Sequence, residues 1–155
     1  AFSSSLTHPS GHERRGALVT LYADTSALAK LIRPEVESQA LAAFLDGGNS
    51  WGQVPELISS DLTTVELHRA ARREGSISPA DVDEVLDKVY SLRVRPEIIS
   101  LASEVKPVPL RSLDALHLAS ALRSNCDMIA YDQRLIQAAR GAGLTVYSPG
   151  MTTSQ

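Results

Sequence analysis

With 155 residues, a net charge of −3 and 43% hydrophobic residues, the chain is long enough for one domain to bury a core without disulfides or a structural metal. The single cysteine, Cys126, excludes an internal disulfide, and without paired Cys and His spacings it excludes a zinc site, which points to a reducing, intracellular and cytoplasmic setting. No apolar run reaches the length of a membrane span, and the mildly acidic balance, taken alone, argues against a nucleic-acid partner.

Residues 1–17 are polar, carry Gly and Pro and have no apolar segment of the secretory kind, so they are expected to be a disordered lead-in. The domain proper is expected over 18–149, with 150–155 as a tail. LVTLYAD (18–24) reads as a strand ending at Asp24, and TSALAKLI continues it with helical spacing. A helix over 35–47 places Val36, Leu41, Phe44 and Leu45 on one side and stops at Gly47 and Gly48. LISS (57–60) is a second strand, followed by a helix opening at Thr63 and ending at Gly75. Another helix starts at Ser78 and Pro79 and runs through Val82, Val85, Leu86 and Val89, forming a hairpin with the one before it. SLRV (91–94) is a short third strand, PEIISLASEV a helix and KPVPL a connector. SLDALHLASAL (112–122) is apolar in almost every direction, the pattern of a helix covered on most sides, yet Asp114, His117 and Ser120 form one polar stripe along it. DMIAYD (127–132), QRLIQAARGAG and LTVYSP complete the order as strand, helix and strand. Strands alternating with helices predict an α/β fold with a central, mostly parallel sheet of four or five short strands flanked by helices.

Ligand sites in open parallel sheets lie at the carboxyl ends of the strands. Asp24 and Asp132 close strands at such ends, while Glu66 and Asp114 fall in the first turns of helices, so the four carboxylates are expected to converge on one edge. Converging carboxylates raise one another's pKa unless a cation is present, and an oxygen-only ligand set favours Mg²⁺ or Mn²⁺. Such an ion suits in-line displacement at phosphorus. Each acid also has a purely structural explanation. Glu66 could close a capping box with Thr63, Asp114 could complement the positive end of its helix, and Asp24 and Asp132 could be ordinary N-caps.

ADTSALAKL, TTVELHRA, LRSLDALHLASAL and IAYDQRLIQAARGAGLTVYSP occur in an order and spacing that resembles the PIN-domain ribonucleases, most closely the toxin half of VapBC toxin–antitoxin pairs, over residues 19–149. The resemblance implies a three-layer PIN-like domain and a metal-dependent endoribonuclease neutralised by a VapB-type antitoxin. Asp24, Glu66, Asp114 and Asp132 then correspond to its catalytic, metal-binding acids, with Mg²⁺ or Mn²⁺ as cofactor and RNA as substrate. Ser26 matches a position near the metal, and is equally a helix-start residue. Ala130 departs from the pattern, because many relatives carry Thr or Ser there. His117 reads as a hydrogen-bonded wall residue rather than a ligand, and the run His68, Arg69, Arg72, Arg73 as either a phosphate-attracting patch or a solvated helix face. Trp51 could stack on a base but more simply covers a core edge. The apolar surface of helices 35–47, 63–74 and 79–92 predicts a homodimer and a groove for an antitoxin helix. The alternative is a catalytically silent PIN-like module that binds RNA or protein. A phosphatase with a phospho-aspartate intermediate would need D-x-D after the first strand, where the chain has Asp24, Thr25, Ser26.

Overall fold

The computed structural model describes residues 17–152. The expected lead-in, apart from residue 17, and residues 153–155 of the tail lie outside the described residues. The elements are β1 (Thr20–Ala23), α1 (Thr25–Ile32), α2 (Ser38–Leu45), β2 (Glu56–Ser60), α3 (Asp61–Glu74), α4 (Pro79–Leu86), β3 (Val89–Leu92), α5 (Pro96–Glu104), α6 (Ser112–Arg123), β4 (Asp127–Ile129), α7 (Gln133–Gly141) and β5 (Val146–Tyr147). The five strands form one sheet in the order β3-β2-β1-β4-β5, and every pairing is parallel.

Side chains alternate across the pleat, so each short apolar strand feeds both faces. Tyr22 and Met128 face the core built with α6 and α7, where Leu118, Ala121, Leu135 and Ala139 are buried. Leu21, Ala23, Leu57 and Ile129 face the core built with α1 to α4, against Ala27, Leu28, Leu41, Leu67 and Val82. This is the three-layer arrangement expected from continuous apolar strands separated by helices.

Several boundaries differ from the sequence expectation. Helix α2 starts at Ser38 rather than at 35, after a turn in which the Glu35 amide donates to the Ser38 hydroxyl, and ends at Leu45, and β4 stops at Ile129 rather than Asp132, because the Tyr131 amide turns away to Ser26. Helix α3 starts at Asp61 rather than Thr63, because the Ser60 hydroxyl at the strand end accepts from the Leu62 amide and caps the helix directly. Helix α4 begins as expected, with a capping box between Ser78 and Asp81, but stops at Leu86. The third strand is therefore 89–92 rather than 91–94. Val89 lies at helical spacing from Val82 and Val85, yet Val89–Leu92 pair in parallel register with Leu57–Ser60. The open edge of β2 recruits this β-branched and aromatic stretch. The α3–α4 hairpin closes at Gly75, whose φ of 68° is the left-handed value glycine adopts without penalty.

The strand order reverses at β1, which lies between β2 and β4. In such sheets the crevice for ligands opens at the carboxyl ends beside that switch point.

Candidate active site

Asp24 follows β1 and caps α1, its Oδ1 accepting from the Ala27 amide at 3.0 Å. The Ser26 hydroxyl donates to the same carboxylate, 2.7 Å from Oδ1 and 2.9 Å from Oδ2, and accepts from the Tyr131 amide at 3.1 Å. Ser26 therefore anchors Asp24 and ties the β1 junction to the β4 junction. Asp132 follows β4 and caps α7 in the same way, its Oδ1 accepting from Leu135 N at 3.0 Å. Asp114 lies in the first turn of α6, whose N-cap Arg111 supplies no capping side chain. Glu66 lies in the second turn of α3 rather than the first, a consequence of the earlier helix start. The capping box with Thr63 falls with it: Thr63 is buried inside the helix, and its Oγ1 sits 2.6 Å from Ser59 Oγ.

The four acids are graded in exposure. Asp24 is buried at 4% exposure, Asp114 and Glu66 are half-buried, and Asp132 is exposed. Burial pushes the Asp24 carboxyl up to about 6, against the hydrogen bonds from Ser26 and Ala27, with repulsion from Asp114 adding to the rise. Asp114 is raised too, by burial first, then by Asp132 and Glu66, with Arg111 opposing. Asp114 is thus the common neighbour through which the constellation holds together electrostatically. The polar stripe on α6 faces this group: Asp114 at the mouth, His117 beneath it at 2% exposure, and Ser120 buried below. His117 is a hydrogen-bonded wall residue, with Nε2 2.7 Å from Glu66 Oε1 and Nδ1 2.7 Å from Tyr22 Oη.

Mutual repulsion among oxygen ligands is what a hard divalent cation relieves, so the donor chemistry fits Mg²⁺ or Mn²⁺. As the side chains stand, no three His, Cys, Asp or Glu groups among the described residues are drawn close enough to hold an ion. Asp24 spends both oxygens on Ser26 and Ala27, and Glu66 spends Oε1 on His117.

Around this centre, Lys30 is buried beside Glu35 (2.6 Å) and Glu37 (3.0 Å), with its ammonium 4.6 Å from the centroid of the Tyr131 ring. Burial works against the Lys30 charge, but the bonds to Glu35 and Glu37 outweigh it and raise its pKa. In the basic run on α3, His68 is committed to Asp83 across the hairpin at 3.0 Å, whereas Arg69, Arg72 and Arg73 are exposed. Trp51 packs on Phe44 and Tyr147, with ring centroids 5.9 and 5.1 Å away, as a core-edge cover. Ala130 is fully buried, and its carbonyl accepts from the Ser148 hydroxyl. Sequence reasoning missed Tyr22, Thr25 and Ser60 as neighbours of the site. The available signal was a lone phenol inside an otherwise apolar strand, TLYA.

Residues 21–141 match the PIN domain family. Ribonuclease VapC35 of Mycobacterium tuberculosis is 40% identical over 137 residues, 84% of this chain and 97% of the relative. Ribonuclease VapC47 of the same organism is 37% identical over 136 residues, again 84% and 97%. Among solved structures, VapBC2 from Rickettsia felis, crystallised bound to a DNA fragment from its promoter, superposes with a TM-score of 0.62 at 14% identity, over 83% of this chain and 98% of that one. The chain belongs to the PIN-domain family, and within it groups with the VapC ribonucleases.

Proposed function

We propose that the protein is a metal-dependent endoribonuclease that hydrolyses RNA phosphodiester bonds, the toxin of a VapBC-type pair. The observation that carries this reading is the coupled group of carboxylates at the carboxyl edge of β1 and β4, with Asp24 pushed up to about 6, in a chain that aligns nearly end to end with ribonucleases. Asp24, Glu66, Asp114 and Asp132 would hold Mg²⁺ or Mn²⁺. When bound, the cation supplies activation of water and compensation of the charge that builds at phosphorus. Ser26 and the Ala27 amide keep the Asp24 carboxylate aimed, and His117 does so for Glu66. The exposed guanidinium groups of Arg69, Arg72 and Arg73 offer phosphate contacts along α3, which lets a mildly acidic protein bind a polyanion locally.

A VapB-type antitoxin neutralises the site by laying an amphipathic helix on the apolar surface of α1 to α4 and reaching the acids with an Arg, whose fork replaces the charge of the cation. A groove of about 530 Å³ lined by Leu31, Ala42, Leu45, Val54 and Val85 supports this, as does the exposure of Val54 and Val65. The same apolar excess supports a homodimer, and the RNA substrate places the work in the cytoplasm. Among the described residues no helix is long and apolar enough to cross a membrane. Incubating total cellular RNA with the purified protein, with and without Mg²⁺ or Mn²⁺, and mapping the new ends tests the reading. Discrete metal-dependent cuts are expected. RNA that is retained but never cut with either ion overturns it in favour of a silent binding module.

A further inference from the structure

Beneath the acids, side chains from three different elements are joined in a line. Tyr22, on β1, is fully buried; its Oη accepts the Ser60 amide at 3.2 Å and lies 2.7 Å from His117 Nδ1. The two rings meet edge to face with centroids 5.9 Å apart. On the far side of the imidazole, Nε2 lies 2.7 Å from Glu66 Oε1 and 3.3 Å from Thr25 Oγ1. The assignment of hydrogens follows from counting donors and acceptors. Burial holds the Tyr22 phenol protonated, so Oη has one hydrogen to give while it accepts from Ser60. Glu66 Oε1 is a carboxylate oxygen and can only accept, so Nε2 carries a ring hydrogen and donates it at 2.7 Å. In the neutral imidazole Nδ1 is then bare and accepts the phenol hydrogen of Tyr22 at 2.7 Å.

We propose that Tyr22 and His117 are positioning residues: the phenol fixes the Nε2–H tautomer of His117, and that N–H pins Glu66 by Oε1 so that Oε2 is the oxygen offered to the acid group. Among the described residues, Oε2 has no protein hydrogen bond of its own. A free Glu carries several rotors, whose ordering must be supplied each time the site assembles; the relay supplies it in advance. Outer partners of this kind are worth about 10- to 100-fold in metal affinity or activity. The catalytic consequence rests on the nuclease reading, whereas the hydrogen-bond relay does not.

The test is long-range ¹H–¹⁵N NMR of the imidazoles in the ¹⁵N-labelled, metal-free protein near neutral pH, with His117 assigned by its loss in His117→Gln. The expected result is a neutral ring with Nε2 protonated and Nδ1 bare, and a shift away from that pure tautomer in Tyr22→Phe. A ring protonated on Nδ1, alone or as imidazolium, overturns the relay without any variant. In kinetics, Tyr22→Phe is expected to lower kcat for RNA by about 10- to 100-fold while KM for RNA stays within about threefold. His117→Gln, which keeps a donor, is expected to retain more kcat than His117→Leu. Parent kcat in a folded Tyr22→Phe, or equal kcat in the two His117 variants, overturns the positioning role. A parent protein that cleaves no RNA overturns the nuclease reading and leaves the tautomer result to decide the relay.

Discussion

The β1–α1 and β4–α7 junctions are built alike and end up chemically different. Both place an Asp between a strand and a helix, directly after β1 for Asp24 and three residues past the end of β4 for Asp132, and both use it to cap the helix through an amide three residues on, at 3.0 Å in each case. Asp132 is exposed at the outer side of the sheet and does little more locally than cap α7. Asp24, at the end of the central strand, is buried and clamped by Ser26, and burial together with Asp114 drives its carboxyl up to about 6. One local motif thus yields a solvated cap in one place and a buried carboxyl held well above its ordinary pKa in the other. The difference arises from what covers the junction, not from the junction.

The largest expected effect is on cleavage. Asp24→Asn and Asp114→Asn keep shape and delete charge where the cation is held, so the rate is expected to fall by several orders of magnitude. Asp132→Asn, in the solvated arm, is expected to fall by less. Single-turnover cleavage of one mapped RNA at saturating Mg²⁺ measures all three, and an Asp132→Asn loss equal to that of Asp24→Asn would break the comparison.

A smaller effect separates the junctions in the metal-free protein. An unfolded Asp titrates near 3.9, whereas Asp24 in the folded state holds its proton to about 6. The folded state therefore binds the proton more tightly, and this contribution to stability is fully present below about pH 4 and is lost as pH rises through about 6. The difference is on the order of 2 to 3 kcal/mol, and Asp114, also raised, acts in the same direction. Urea unfolding in a chelator across that window is expected to show parent stability declining with pH, flattened in Asp24→Asn and retained in Asp132→Asn. A parent slope indistinguishable from that of Asp24→Asn would show that the buried carboxyl is not raised.

The smallest effect concerns the caps themselves. Asp132→Ala removes an N-cap and is expected to destabilise the protein by about 1 kcal/mol. Asp24→Ala removes an equivalent cap but also relieves a buried, repelled carboxylate, so at neutral pH and without metal its net change is expected to be near zero or stabilising. Thermal unfolding of the pair in chelator sharpens the comparison; equal destabilisation would mean the two junctions differ only in exposure.

The alternation of short apolar strands with amphipathic helices was readable in the sequence, because the sheet is parallel and buried on both faces, so its strands are continuous runs such as TLYA and MIA. The strand-end position of Asp24, the helix-cap position of Asp132 and the first-turn position of Asp114 followed from the same pattern, since caps are decided within a few residues, although β4 stops at Ile129, short of Asp132. The extent of α4 did not. Val89 suits a helix and a strand equally, and only the vacant edge of β2 made it a strand. Nor did the start of α3, where Ser60 and Thr63 are both good caps and the end of β2 selected the first. What tertiary structure alone decided is the character of the side chains the sequence had already marked. Strand order brought β1 beside β4, Asp24 came to lie buried while Asp132 stayed exposed, and Tyr22 met His117 across 95 positions of chain. Burial, repulsion and hydrogen-bond partners depend on groups distant in sequence, so no local pattern encodes them, and those three quantities are what turn an Asp, a Glu or a His into a reactive one.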